Sequence, residues 1–212
     1  MKNFLIISTL TFTLFINSSL AKELTEPSTK HEDVKKGFYA LDKSHAKILF
    51  SVSHLGFSNF YSEFKDFDAK IYANPSDLAQ SYVEVEIAAE SADSGNKVLN
   101  GKFMDGEFFN VKKHPKITFK STKIELADEA HGKLTGSLTF LGVSKMITLD
   151  VTFNGTAFNK YAGKPVIGFS ATGVIKRSQF GMNAYLPAVS DEVNLIIETE
   201  FTLDEQTKYP KK

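Results

Sequence analysis

From residue 38 almost to its end, the chain alternates apolar and polar side chains with a period of two. Ile48, Phe50, Val52 and His54 fall on one side of that alternation. Val83, Val85 and Ile87 interleave with Glu84 and Glu86, and Ile117 and Phe119 with Lys116, Thr118 and Lys120. The same rhythm runs through Leu134, Leu138 and Phe140, then Ile147, Leu149, Val151 and Phe153. It continues through Ile167, Phe169, Ala171 and Gly173, then Leu195, Ile197 and Phe201. Successive side chains on a strand point to opposite faces, so each segment predicts a half-buried strand. A further extended, Phe-rich segment spans residues 61–72. Asn74-Pro75, Gly142, Gly155 and Gly163-Lys164-Pro165 punctuate the strands as turns.

Some eight antiparallel strands with almost no helix to cover their apolar faces must close on themselves or stack as a sandwich. Eight close into a barrel whose inside is filled by side chains or holds one small ligand. The small inward residues Gly136, Ala171 and Gly173 favour a hollow inside. An outer-membrane barrel needs an apolar outer band. Here the opposite faces carry Glu84, Glu86, Lys116, Lys120, Asp150, Glu198 and Glu200, so the apolar faces belong inside. Residues 94–110 resist the strand pattern. They predict one or two short helical turns across a barrel opening, with Asp93 or Ser94 as N-cap.

The termini and composition narrow the function classes. Residues 1–21 have Lys2, an apolar run over residues 4–16 and Ser19-Leu20-Ala21, which reads as a secretory signal peptide cut after Ala21. The polar residues 22–36 read as a flexible lead-in, and residues 37–205 as one barrel domain in the periplasm. There is no Cys, which excludes thiolate chemistry and disulfides. Acidic and basic residues balance at 25 each, so no basic excess invites nucleic acid. No phosphate-binding glycine motif is present. The 19 Phe and seven Tyr, with no Trp, supply much flat apolar surface for a core or for a cavity wall.

Several blocks resemble the YceI family of periplasmic polyisoprenoid-binding proteins. They are Tyr39-Ala40-Leu41-Asp42-Lys43-Ser44-His45, Phe50-Ser51-Val52-Ser53-His54-Leu55-Gly56, Phe64-Lys65-Asp66-Phe67-Asp68 and Glu107-Phe108-Phe109-Asn110-Val111. His114-Pro115-Lys116-Ile117-Thr118-Phe119, Leu134-Thr135-Gly136, Gly142-Val143-Ser144-Lys145 and Gly168 to Met182 continue the match. The resemblance implies an all-β fold, an eight-stranded antiparallel lipocalin-like barrel with a short helical segment near one opening. It also implies a long apolar tunnel that holds an isoprenoid or similar lipid. The family's Arg-Asp-x-His run is absent. Leu99-Asn100-Gly101-Lys102 stands there, so a polar head group would have to be seated differently.

The expected ligand-lining residues are Phe50, Val52, His54, Val85, Phe119, Leu138, Phe140, Leu149, Val151, Phe169, Ala171 and Ile197, with Phe108, Phe109, Phe180 and Met182 at the opening. His45, His54 and Lys102 are head-group candidates. Lys102 could pair with an anionic head such as a pyrophosphate or simply be solvated. His45 and His54 lack a third ligand at metal-binding spacing, so no metal is expected. His31, His114 and His131 sit in the tail and turns and are expected in solvent. Asp66 with Asp68, and Glu84 with Glu86, read as wet strand faces rather than a glycosidase pair. No Gly-x-Ser-x-Gly elbow is present.

No cofactor is expected. A polyisoprenoid, an isoprenoid quinone and a fatty-acid-like lipid all stay open as ligands, as do an inner-membrane partner and a homodimer. Two rivals to a lipid carrier or reservoir remain: an enzyme acting on such a lipid through His54 or His45, and an empty structural barrel serving a stress response.

Overall fold

The computed structural model describes residues 26–207, so the leader expected over residues 1–21 lies outside the described residues. The alternating segments become β1 (Gly37–His54), β2 (Ser58–Phe64), β3 (Phe67–Ala73), β4 (Tyr82–Ala88) and the two-residue β5 (Ala92–Asp93). After the α-helix α1 (Lys97–Phe103) come β6 (Lys116–Leu126), β7 (His131–Phe140), β8 (Val143–Asn159), β9 (Lys164–Lys176) and β10 (Glu192–Asp204).

Both β2 and β3 pair with β1, from His54↔Ser58 to Ile48↔Phe64 and from Ala40↔Lys70 to Gly37↔Ala73. They are two halves of one wall strand. With β5 set aside as a short edge, eight staves follow one another around the barrel, each antiparallel to the next. The sheet closes where β10 meets β1, from Phe38↔Asp204 to Ser51↔Asn194. Closure removes the sheet edge along β1 and β10; among the described residues, residues 58–62 of β2 keep one side unpaired beside the short β5.

The polar face lies outside, as the alternation requires. Glu84 on β4 reaches Lys70 on β3 and Lys120 on β6, each at 2.8 Å, because the register sets all three side by side. Lys116 pairs with Glu86 at 2.7 Å and Lys133 with Asp150 at 2.6 Å. Such exposed pairs stabilise by at most about 1 kcal/mol each.

One end of the barrel, called here the mouth, carries the β1–β2 turn, α1 and the segment 177–191. The other end is packed shut. Tyr39, Ile71, Phe153, Ile167, Phe201 and Leu203 form this floor. Tyr39 is only 1% exposed, and its hydroxyl donates to the Lys35 carbonyl at 2.8 Å. Burial pushes its phenol up to about 12.

At the mouth, α1 drops Phe103 into the barrel. Phe103 and Phe109 meet edge-to-face at 5.5 Å, Phe109 meets Phe64 at 5.6 Å, and Phe64 meets Phe50 at 4.9 Å. Each aromatic pair contributes about 0.5–1.5 kcal/mol beyond its buried area.

Several local expectations are corrected. The cap of α1 is Asn96, whose Oδ1 accepts from Val98 N at 3.0 Å and Leu99 N at 3.2 Å. Asp93 is instead engaged by Lys65, the Asn100 amide and Gly95 N, which together hold its carboxyl far below the usual carboxylate range. Gly155 does not end a strand. It sits at a bulge inside β8, with φ +135° and Pro27 where a Cβ would go. The lead-in is pinned there, because Ser28 exchanges backbone hydrogen bonds of 2.9 and 2.8 Å with Thr156.

Gly136 and Gly173 face inward but leave no empty room. A Cβ on Gly136 would lie 2.4 Å from the Phe119 ring, and one on Gly173 would lie 2.6 Å from Leu149 Cδ2. Their missing side chains are replaced by neighbours from the adjacent strands. His31 and His114 are not simply solvated either. His31 Nδ1 is buried with no hydrogen-bond partner among the described residues, and the His114 ring packs 2.9 Å from where a Gly142 Cβ would be.

Candidate functional site

Between the floor and α1 the barrel encloses a cavity of about 510 Å³. Its wall follows from the alternation. Phe50 and Val52 face it from β1, Val85 from β4 and Phe119 from β6. Leu138 and Phe140 of β7, Leu149 of β8 and Ile197 of β10 complete the circle. At the mouth, Phe108, Phe109 and Met182 also line the space, with His54 and Lys102.

Val151, Phe169, Ala171 and Phe180, expected on the same wall, do not border this cavity. Val151 and Ala171 are cross-strand partners at the level where the void gives way to packing. Phe169 belongs to the floor, with its ring 5.4 Å from Phe153 and 6.4 Å from Phe201. Phe180 is buried behind Phe140 at 5.6 Å, bracing the wall from the segment after β9. The hollow is therefore shorter than a tunnel running the full height of the barrel.

Other lining residues were not singled out from the sequence. Phe60, Ser62 and Phe64 of β2 line the cavity, as do Leu99 and Phe103 of α1. Their spacing carries the signal, two apart on the strand and four apart on the helix. Tyr185 lines the mouth and stacks on Phe108 at 6.0 Å, joining the helix side of the opening to the 177–191 segment.

Arg177 carries no such periodic signal. It starts a 3₁₀ turn (Arg177–Phe180) just past β9 and is 3% exposed. Its Nε donates to the Ser190 carbonyl at 2.8 Å, Nη1 to Met182 at 3.2 Å and Nη2 to Val189 at 2.9 Å. These bonds fasten the segment that frames the mouth. Desolvation lowers the Arg177 pKa, opposed by the field of Asp191.

His45 and His54 do not come together. His54 sits exposed at the mouth, its backbone bridged to Val189. His45 lies toward the floor, in a bulge where residues 42–45 of β1 stand opposite Glu200. Its Nδ1 is 2.9 Å from Asp42 Oδ2, and the ligating atoms of Asp42, His45 and Glu200 lie within 4.8 Å of one another. The hydrogen bond to Asp42 raises the His45 pKa and holds the Asp42 carboxyl below its ordinary value. The third group that spacing along one strand could not supply thus comes from β10. His45 and Glu200 border an open groove of about 830 Å³, where Phe158 and Tyr161 are exposed. His45 lines that groove and does not line the barrel cavity, whereas His54 and Lys102 do.

Comparison with known proteins agrees with this architecture. The YceI-like domain model matches residues 39–201. Protein YceI of Salmonella arizonae is 36% identical over 165 residues, covering 76% of this chain and 85% of that protein. The crystal structure of the Campylobacter jejuni YceI protein is 39% identical, with a TM-score of 0.64 over 72% of this chain and 90% of that one. A domain from Saccharophagus degradans, described as polyisoprenoid-binding, shares the fold with a TM-score of 0.62 at 14% identity, over 80% of this chain and all of that one. A closed eight-stranded barrel, the match across nearly the whole described wall and the relatives' identity lead to one conclusion: the chain belongs to the YceI-like family.

Proposed function

We propose that this protein binds a long apolar lipid in the barrel cavity and serves as a carrier or reservoir for it in the periplasm. One observation carries the reading: a cavity of about 510 Å³ walled mostly by Phe, Leu, Ile and Val, with the packed floor cluster at one end and α1 at the other. At roughly 30 Å³ per small group, that space takes on the order of fifteen carbons, about three isoprene units or a palmitoyl-length chain. Burying each methylene stabilises the complex by about 0.8 kcal/mol, so apolar chains bind without directional chemistry. A longer polyisoprenoid would extend through the mouth between α1 and Tyr185.

The fold shared with a domain described as polyisoprenoid-binding supports a lipid of this class. The leader expected over residues 1–21 supports the periplasmic assignment. Among the described residues, the titratable groups on the wall, His54, Lys102, Arg177 and Tyr185, make no side-chain hydrogen bond to one another, so no acid–base pair favours the enzymatic alternative.

The test is native mass spectrometry of the mature protein, purified without added lipid and then again after incubation with palmitate or farnesol. A bound apolar mass in the range of such chains is the expected result. A protein that stays empty in every preparation would overturn the proposal.

A further inference from the structure

The rim of the mouth is apolar where it meets solvent. On one side the β1–β2 turn holds out Leu55 and Phe57, which are 54% and 87% exposed. This turn is fastened to the 177–191 segment, because Leu55 N donates to the Ala188 carbonyl at 2.7 Å. Exposed Tyr185 and Leu186 therefore share the rim with it. On the other side α1 presents Val98, 75% exposed, one position before the inward Leu99. The stack of Phe108 on Tyr185 joins the two sides. Leu55 and Tyr185 hold φ values of 54° and 60°, a left-handed backbone that bulky residues rarely adopt. Neither side chain gains burial from that strain, since both stay more than half exposed.

Apolar side chains gathered in water around an opening mark a surface that meets a partner or another apolar phase. The charges decide which. Residues 97–113 carry Lys97, Lys102, Lys112 and Lys113 against Asp105 and Glu107, a net charge of +2, and all four lysines are exposed. The 177–191 segment adds Arg177 and Asp191, which cancel, and residues 55–57 add no charge. Two copies set mouth to mouth about a two-fold axis would bring like charge against like. A bilayer with anionic phosphodiester heads complements the lysines, and its acyl boundary receives the apolar tips.

We propose that the mouth docks on an anionic phospholipid bilayer, with Leu55, Phe57, Val98 and Leu186 entering the interface and the lysines of residues 97–113 lying on the phosphates. The apolar chain then passes between bilayer and cavity without crossing water, where every methylene would lose its burial. This rests on the lipid-binding reading above and adds a membrane surface as its partner.

The test follows transfer of a fluorescent fatty-chain probe from the loaded mature protein to vesicles of phosphatidylcholine, with and without about one-third phosphatidylglycerol, while flotation with the same vesicles reads docking itself. The protein should float with the phosphatidylglycerol vesicles, and transfer should quicken in proportion to vesicle concentration. Phe57→Ser combined with Val98→Ser should abolish flotation and slow transfer by about fivefold or more. Probe affinity should not change, because neither residue lines the cavity. Lys97→Glu combined with Lys113→Glu should remove the preference for phosphatidylglycerol. A transfer rate that ignores vesicle concentration and is equal in all three proteins means release through water; it overturns the docking proposal and leaves the lipid reading standing. A dimer by light scattering that Phe57→Ser disperses, without flotation, gives the rim to a second copy and likewise overturns docking. A mature protein that never takes up the probe overturns the lipid reading, and this proposal with it.

Discussion

Val85→Phe tests whether the void is the ligand site. Val85 faces the cavity from β4, beside Ala69 on β3 and Phe119 on β6, and touches both the floor cluster and the aromatic cluster at the mouth. A phenyl ring there fills the deepest part of the space and raises the floor. A ring that displaces about four methylene-sized groups of ligand removes about 3 kcal/mol of burial, at about 0.8 kcal/mol each. That corresponds to about two orders of magnitude in Kd. Aromatic residues suit a strand, and the ring enters empty space rather than packed atoms, so Tm should hold within a few degrees.

The assay is displacement of a fluorescent fatty-chain probe, with palmitate as the long competitor and decanoate as the short one. Palmitate should weaken by roughly a hundredfold, while decanoate, which does not reach the floor, should change little. An unchanged palmitate affinity in a variant of wild-type Tm would refute the reasoning. Equal weakening of both chains would mean that the substitution acts at the mouth and not on cavity depth.

Gly136→Ala should lower Tm by several degrees, since its Cβ would fall 2.4 Å from Phe119 Cζ and 2.5 Å from the Lys120 carbonyl, which is backbone. Overpacking of this kind costs about 1–3 kcal/mol and is read directly by thermal denaturation. Asn96→Ala removes the cap of α1, worth about 0.5–2 kcal/mol; hydrogen exchange should quicken over residues 97–103 and not in the strands, and ligand release should accelerate. The Asp42–His45 pair strengthens when the imidazole is protonated, so its contribution is present at low pH and is lost as pH rises through the raised His45 pKa. An NMR titration should find His45 above the ordinary value of 6.5, and Asp42→Asn should bring it back down; a His45 that titrates identically in both proteins would show that the pair does not form in solution.

Much of the wall could be read from the chain because the rule behind it is local. A residue two places from Phe50 must share its face, so Val52 and His54 followed at once, as did Val85 from Ile87 and Leu138 from Phe140. The count of such strands and the lack of helices to cover them left a closed barrel or a stacked sandwich, and the resemblance to the family pointed to the barrel. Depth could not be read in this way. Val151 and Phe169 obey the same alternation as Leu149 and Ile197, yet Phe169 is spent on the floor against Phe153 and Phe201. The inward glycines suggested room, but Phe119 and Leu149 reach across from neighbouring strands to occupy it. Arg177 lies in the matching block Gly168 to Met182, but its burial beneath the segment 182–190 carries no local periodic signal.

Period-two patterning, then, was enough to assign inside and outside to each stave, because strand geometry turns every second side chain the same way whatever the neighbours are. It was also enough, with the ordered blocks, to reach the family. Where the barrel is solid, where it is hollow, and that Arg177 ends up buried beneath the segment 182–190 were decided only on assembly. Those properties depend on how far each stave slides past the next and on which side chains from distant strands meet at one height, and no stretch of the chain carries that information alone.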